Sequence, residues 1–241
     1  MSLTLDTLLA RHQVPLLTEE DVHIWCLEID FESSRSADMS CLSPEEQARA
    51  RAMSHPRSRG TFVQARLALR HLLRLYLDVE AADVHFSVNP HGKPRLQGTA
   101  EHEGLVFNVS HSGDRVVIGL ARNTPLGVDV ERLRSERDLE RLADACLSEG
   151  EIERWQALPL ELKPAVFYRW WTAKEALVKA IGRGVAIGLR SIEVGVDDRH
   201  FHRAPAGWSE VLNWYLETWD PAGYSLALVC GLPNPRVSLL R

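Results

Sequence analysis

Apolar side chains at Phe62, Ala65, Leu69, Leu72, Leu73 and Tyr76 recur every three or four positions, which predicts a helix over residues 61–77. Upstream, "LSPEEQARARAM" carries the marks of a second helix. Ser43 stands where an N-cap should be, Pro44 at the first helical position, and Glu46 where a capping box returns its bond. The stretch "SHPRSRG" breaks the chain between the two. Strand patterns lie on either side: "VHIWCLEID" (22–30) before them, then "VHFSV", a Pro/Gly turn "NPHGKP", residues 105–110, a turn "HSGD" and "RVVIGLA". "LGVDVERL" (126–133) opens the second half as a strand, followed by helical patterns over 136–157 and 165–181. Strands near "SIEVGV", "NWYLETWD" and "YSLALVC" complete it. Helices followed by short strands predict an α+β fold, and the same inventory in both halves predicts a duplicated architecture without a residue-level repeat.

Composition narrows the class without naming a function. The 241 residues are 45% hydrophobic, ordinary for a globular chain, and no apolar run approaches the length of about 18 residues that a membrane span needs. The N-terminus lacks the basic and apolar regions of a secretory signal. Four widely separated cysteines form no metal-binding spacing and read as reduced thiols of a cytoplasmic protein. A net charge of −5 gives a nucleic-acid role no support. Locally the picture differs: residues 49–74 hold Arg49, Arg51, Arg57, Arg59, Arg66, Arg70 and Arg74 with no acid among them. Such a stretch is either a solvated basic face or a landing site for phosphate or an acidic protein.

Three segments carry candidate chemistry. In "LGVDVERL" the strand period points Asp129 and Glu131 to the same side, which suits either a solvated edge or a cation site. On the helix in "FYRWWTAKEALVKAIGRG", Glu175 and Lys179 share one edge of an apolar face formed by Phe167, Trp170, Trp171, Leu177, Val178 and Ile181, while Gly182 and Gly184 end it. Lys174 falls inside the apolar face, so it must either snorkel out or serve an anion or carboxylate. "FNVSHSGDR" puts Ser110, His111 and Ser112 where a strand enters a turn, as turn formers or as donors to phosphate. "HGKP" is a simple turn or offers Lys93 to an anion. No Walker motif or kinase glycine loop is present.

Taken together, "GKP", "FNVSHS", "GVDVE" and "FYRWWTAKEALVKAIGRG", in this order over residues 91–184, resemble the 4′-phosphopantetheinyl transferases of the larger, Sfp-type class. The resemblance implies a monomer of two similar α/β subdomains related by a pseudo-two-fold, here residues 1–122 and 123–241, each with a small antiparallel sheet and packed helices. It implies transfer of the phosphopantetheine arm of coenzyme A to a serine of an acyl or peptidyl carrier protein, with release of adenosine 3′,5′-bisphosphate and no nucleic acid or membrane partner. Asp129, Glu131 and Glu175 would bind Mg²⁺ or Mn²⁺. Lys179 would contact phosphate and assist the leaving group, and Lys174 would share the same helix motif at the coenzyme. Ser110 and His111 would hold coenzyme A phosphates, with His111 offsetting developing charge, Lys93 near the adenine or its phosphate, and Arg49 ahead of Arg59 and Arg66 at the 3′-phosphate. In "LSEGEI" (147–152), Ser148 aligns with a family serine and Glu151, rather than Glu149, would be the general base. The Arg-rich region would dock an acidic carrier. The competing readings are a different Mg²⁺-dependent phosphoryl or nucleotidyl transferase and a non-catalytic adaptor for carrier domains.

Overall fold

Two long helices, each laid on its own sheet, organise the chain. A computed structural model describes residues 3–11, 13–30, 38–98, 104–134, 138–183 and 188–240. The first sheet joins β2 (Asp21–Glu28), β6 (Arg115–Arg122) and β5 (Leu105–Ser112) in antiparallel order. Along the outer edge of β2, two short strands lie end to end and parallel to it: β1 (Leu3–Thr4) and β12 (Arg236–Leu240). The second sheet has the order β10 (Tyr215–Trp219), β11 (Tyr224–Cys230), β7 (Leu126–Arg132), again antiparallel. Small hairpins, β3 (Phe86–Val88) with β4 (Pro94–Leu96) and β8 (Glu193–Val194) with β9 (Phe201–Arg203), complete the strands. The α+β reading therefore holds.

The helices form where the capping chemistry directs them. In α2 (Pro44–Ala52) Ser43 and Glu46 make the expected capping box. The break before α3 (Pro56–Leu77) is shorter than the sequence indicated, because His55 caps the new helix and Pro56 fits its first turn. The short α1 (Leu5–Leu9) packs against α3. In the second half, the single pattern over 136–157 is two helices, α4 (Leu139–Cys146) and α5 (Glu149–Gln156). Ser148 and Glu151 form a second capping box that starts α5. The long α6 (Lys163–Ile181) ends at Gly182, whose φ of 73° only glycine adopts at little cost; Gly184 lies outside the described residues.

Packing follows the two-residue period of the strands. On β2, Trp25 and Leu27 face α3 in one core with Leu69, Leu72 and Ile118. Val22 and Ile24 point the other way, into a cluster with Val117, Val128, Leu226 and Leu228 that joins the two sheets face to face. A third core packs α6, through Phe167, Ala173, Ala176 and Leu177, on Ala227 and Val229 of β11. Helix α6 comes close to β7 as well: a Cβ on Gly127 would stand 1.9 Å from the Ala176 carbonyl oxygen. That approach brings the Asp129 side of β7 against α6.

Candidate active site

The acids of "GVDVE" do not lie on a solvated edge. Strand β7 is last in its backbone ladder, but its free edge faces β5, and Asp129 is buried. Gly127, Asp129 and Glu131 share the face toward α6, since successive side chains alternate. From α6, Lys179 donates to Asp129 Oδ1 at 2.6 Å and to Ser110 Oγ at 2.8 Å, and Ser110 in turn donates to the same Asp129 oxygen at 2.8 Å. A serine, an aspartate and a lysine from three elements thus close a triangle. The second oxygen, Asp129 Oδ2, is buried with no hydrogen-bond partner. Such an atom costs stability unless something cationic or protic meets it.

Glu175 stands one helical turn before Lys179. Burial, then the negative charges of Asp129 and Glu131, raise its pKa above the ordinary value, with Lys179 opposing, and Trp171 donates it a hydrogen bond. Glu131 accepts from Ser112 Oγ at 2.8 Å. The three acids predicted from the sequence therefore sense one another. Among the described residues, however, no group of three or more His, Cys, Asp or Glu side chains is gathered tightly enough to hold a metal ion. The donor chemistry still fits a small hard cation, which takes one or two carboxylates and fills its other positions with water and substrate phosphate.

Two openings flank this cluster. One, of about 310 Å³, is lined by Glu175 and Lys179 together with Lys93 and Gly182. The other, of about 840 Å³, is lined by Glu131, His111 and Ser112 and by Arg49, Arg57, Arg132 and Arg134. An excess of guanidinium groups in a concave opening attracts and orients phosphate. Arg49 also lies over the Phe62 ring at 5.0 Å. The surrounding protein, then the Lys179 charge, lowers the pKa of His111. Of the arginine-rich stretch, Arg49 and Arg57 reach the larger opening. Arg66 and Arg70 turn inward to Glu46 instead, at 3.6 and 2.8 Å, and Arg59 is exposed.

Three residues have partners that the sequence did not indicate. Glu151 and Lys174 form an ion pair with both side chains at 0% exposure. Glu151 Oε2 also accepts the Ser148 N–H at 2.7 Å, and Oε1 accepts the Val194 N–H at 2.8 Å. Lys174 Nζ donates further to the carbonyls of Cys146 at 2.8 Å and Leu189 at 3.2 Å. Burial pulls the Lys174 pKa down while Glu151 opposes the shift. The pair is a buried anchor between α5 and α6: all three hydrogens of the Lys174 ammonium are engaged, and Glu151 is enclosed with both oxygens accepting. The signal was already in the sequence: S-x-x-E is a capping box, the same pattern read correctly at Ser43–Glu46.

Lys93 is the third. Its Nζ donates to the backbone carbonyls of Leu126 at 3.0 Å and Ala180 at 3.2 Å, and Asn89 Nδ2 donates to Gly182 O at 2.7 Å. The GKP hairpin thereby fastens the C-terminal end of α6 to the start of β7. Burial lowers the Lys93 pKa to about 8.

The matching families and curated relatives agree with one another. The family described as 4′-phosphopantetheinyl transferase superfamily matches residues 125–229, and that described as 4′-phosphopantetheinyl transferase, N-terminal, matches residues 31–123. The 4′-phosphopantetheinyl transferase HetI of Nostoc sp. is 37% identical over 197 residues, covering 80% of this chain and 82% of the relative. The 4′-phosphopantetheinyl transferase Sfp of Bacillus subtilis is 28% identical over 200 residues, covering 81% and 85%. A structure of holo-ACP-synthase from Plasmodium yoelii aligns with 44% of this chain and 91% of that one, at 19% identity and a TM-score of 0.37. Among the described residues no helix is long and apolar enough to cross a membrane.

Proposed function

Because this chain belongs to the 4′-phosphopantetheinyl transferase family, we propose that it moves the phosphopantetheine arm of coenzyme A onto a serine of an apo acyl or peptidyl carrier protein. The observation that carries this reading is the Asp129–Ser110–Lys179 triangle with its partnerless Asp129 Oδ2, next along the two strands to Glu131 and His111, which line the arginine-rich opening. Asp129 and Glu131 would hold Mg²⁺, with Glu175 beside them; Mn²⁺ suits the same donors. When bound, the cation neutralises charge on the coenzyme A pyrophosphate.

The chain's own groups account for the rest. Arg49, Arg57 and His111 receive the phosphates in the larger opening, while Ser110, buried and with its one hydroxyl hydrogen given to Asp129, holds that carboxylate instead of a phosphate. The carrier serine oxygen attacks the β-phosphorus as the bond to the bridging oxygen breaks, and adenosine 3′,5′-bisphosphate leaves. Lys179, fixed by two hydrogen bonds, stabilises charge on the departing oxygen. The serine proton needs an accessible acceptor. With Glu151 sealed, the carboxylate best suited is Glu175, whose raised pKa brings it nearer neutrality than an ordinary carboxylate. The exposed Arg51 and Arg59 offer an acidic carrier a complementary surface outside the opening. The chain acts as a monomer and works in the cytoplasm.

The test is to incubate the protein with coenzyme A, Mg²⁺ and an apo carrier protein, and weigh the carrier by mass spectrometry. A phosphopantetheine adduct is expected, and Asp129→Ala should lower its rate at least about 100-fold while the chain stays folded. No adduct on any of several carriers, or full activity in Asp129→Ala, would refute the reading.

A further inference from the structure

The edge where β5 meets β7 is joined by side chains instead of a backbone ladder. Both strands run the same way, and Asn108, Ser110 and Ser112 share one face of β5. Asn108 Oδ1 accepts the Val128 N–H at 2.8 Å, Ser110 Oγ the Val130 N–H at 3.3 Å, and Ser112 Oγ the Arg132 N–H at 3.1 Å. These are the N–H groups that β7 turns away from β11, and an edge strand must satisfy them somehow. Each pair is separated by the same 20 residues, so the register is fixed along the whole seam.

The two hydroxyls do more than the amide. A serine hydroxyl can accept one hydrogen bond while donating another, and both use that capacity. Ser110 donates to Asp129, and Ser112, itself buried, donates to Glu131 Oε2 at 2.8 Å. Asn108 makes the same kind of seam bond, and among the described hydrogen bonds it reaches no carboxylate. Glu131 sits near the end of β7 and lines the larger opening.

We infer that Ser112 is a positioning residue: its hydroxyl takes the Arg132 N–H and hands its own hydrogen to Glu131, fixing that carboxylate on the face it shares with Asp129. The register of the seam and the orientation of the acid are thereby set by one atom. The inference rests on the transfer reading only in its account of what Glu131 is positioned for.

The experiment compares Ser112→Ala, Ser112→Thr and Asn108→Ala with the unmodified chain. Mn²⁺ affinity is measured by electron paramagnetic resonance with coenzyme A present and no carrier, so no turnover contributes. Both alanine variants lose one seam bond and should melt at a lower temperature than the parent. Only Ser112→Ala should weaken Mn²⁺ binding, by about 10-fold. Ser112→Thr, which keeps the hydroxyl, should restore it. In transfer assays Ser112→Ala should lower kcat with the carrier KM unchanged. If Ser112→Ala does not fold, Ser112→Cys keeps the volume with a far weaker donor and carries the same comparison. Unchanged Mn²⁺ affinity on loss of the hydroxyl, equal weakening in Asn108→Ala, or no Mn²⁺ binding by the parent overturns the inference. A parent that binds Mn²⁺ yet forms no carrier adduct refutes the transfer reading and leaves the Ser112 comparison decisive.

Discussion

Lys174 and Lys179 lie on the same helix, each in contact with a carboxylate, and the two pairs are opposites. Lys174 and Glu151 are fully enclosed, and every hydrogen of the ammonium and both oxygens of the acid have partners. Lys179 is 29% exposed, and the aspartate it meets keeps one oxygen without a partner. A satisfied buried pair holds elements together and has nothing left to offer a ligand. A pair with an orphaned oxygen keeps one acceptor position open, as the proposed cation site requires. Saturation, more than residue type, separates the anchor from the site.

The hardest blow to that contrast is Lys174→Met. It leaves Glu151 charged and enclosed, so denaturant unfolding should show a loss of about 3–5 kcal/mol. The double variant with Glu151→Gln should recover part of it. A loss below about 1 kcal/mol would mean that Glu151 is not committed to the pair, and would reopen it as a proton acceptor. Lys179→Met should reverse the pattern, with stability within about 1 kcal/mol of the parent, as befits a partly exposed pair, and transfer reduced at least about 100-fold.

The smallest effect is the most diagnostic. Glu175 has a raised pKa in the folded chain, so its ionisation opposes folding, and the penalty grows as pH rises through the unfolded value near 4.5 toward the folded one. Glu175→Gln should therefore raise the melting temperature by a few degrees at pH 7, lose that advantage below pH 4, and abolish transfer. A variant less stable at pH 7 would show that the acid stabilises the site instead of straining it.

Much of this was legible from residues alone, and the failures have physical causes. Strand β7 and α6 followed from period and spacing, and the company of Asp129 with Lys179 from the family resemblance. That Asp129 is buried did not, because burial depends on β5 covering an edge that period alone leaves open. At Glu151 one tetrapeptide pattern, S-x-x-E, serves both as a helix cap and as the stretch in which the resemblance put a general base, and the structure shows the cap and the Lys174 pair. Lys174 in the apolar face was rightly expected to need an anion or a carboxylate; its partner is Glu151, not coenzyme A. The strands β1 and β12 escaped notice since two or five residues without clear alternation carry little signal.

The pairing of β12 with β2 has a consequence for how the protein is made. Arg236 aligns with Asp21 and Leu240 with Trp25, so the first sheet gains its outer strand from the far end of the chain. On a ribosome that releases residues in order, β2, β5 and β6 emerge early, yet the Asp21–Trp25 stretch of one β2 edge waits uncovered until residues 236–240 have been made. Contacts so distant along the chain form slowly, and an exposed strand edge invites wrong partners. The second half of this protein thus does more than carry its share of the acids: it closes the first half, and nascent chains stalled before β12 are the species a chaperone would be expected to hold.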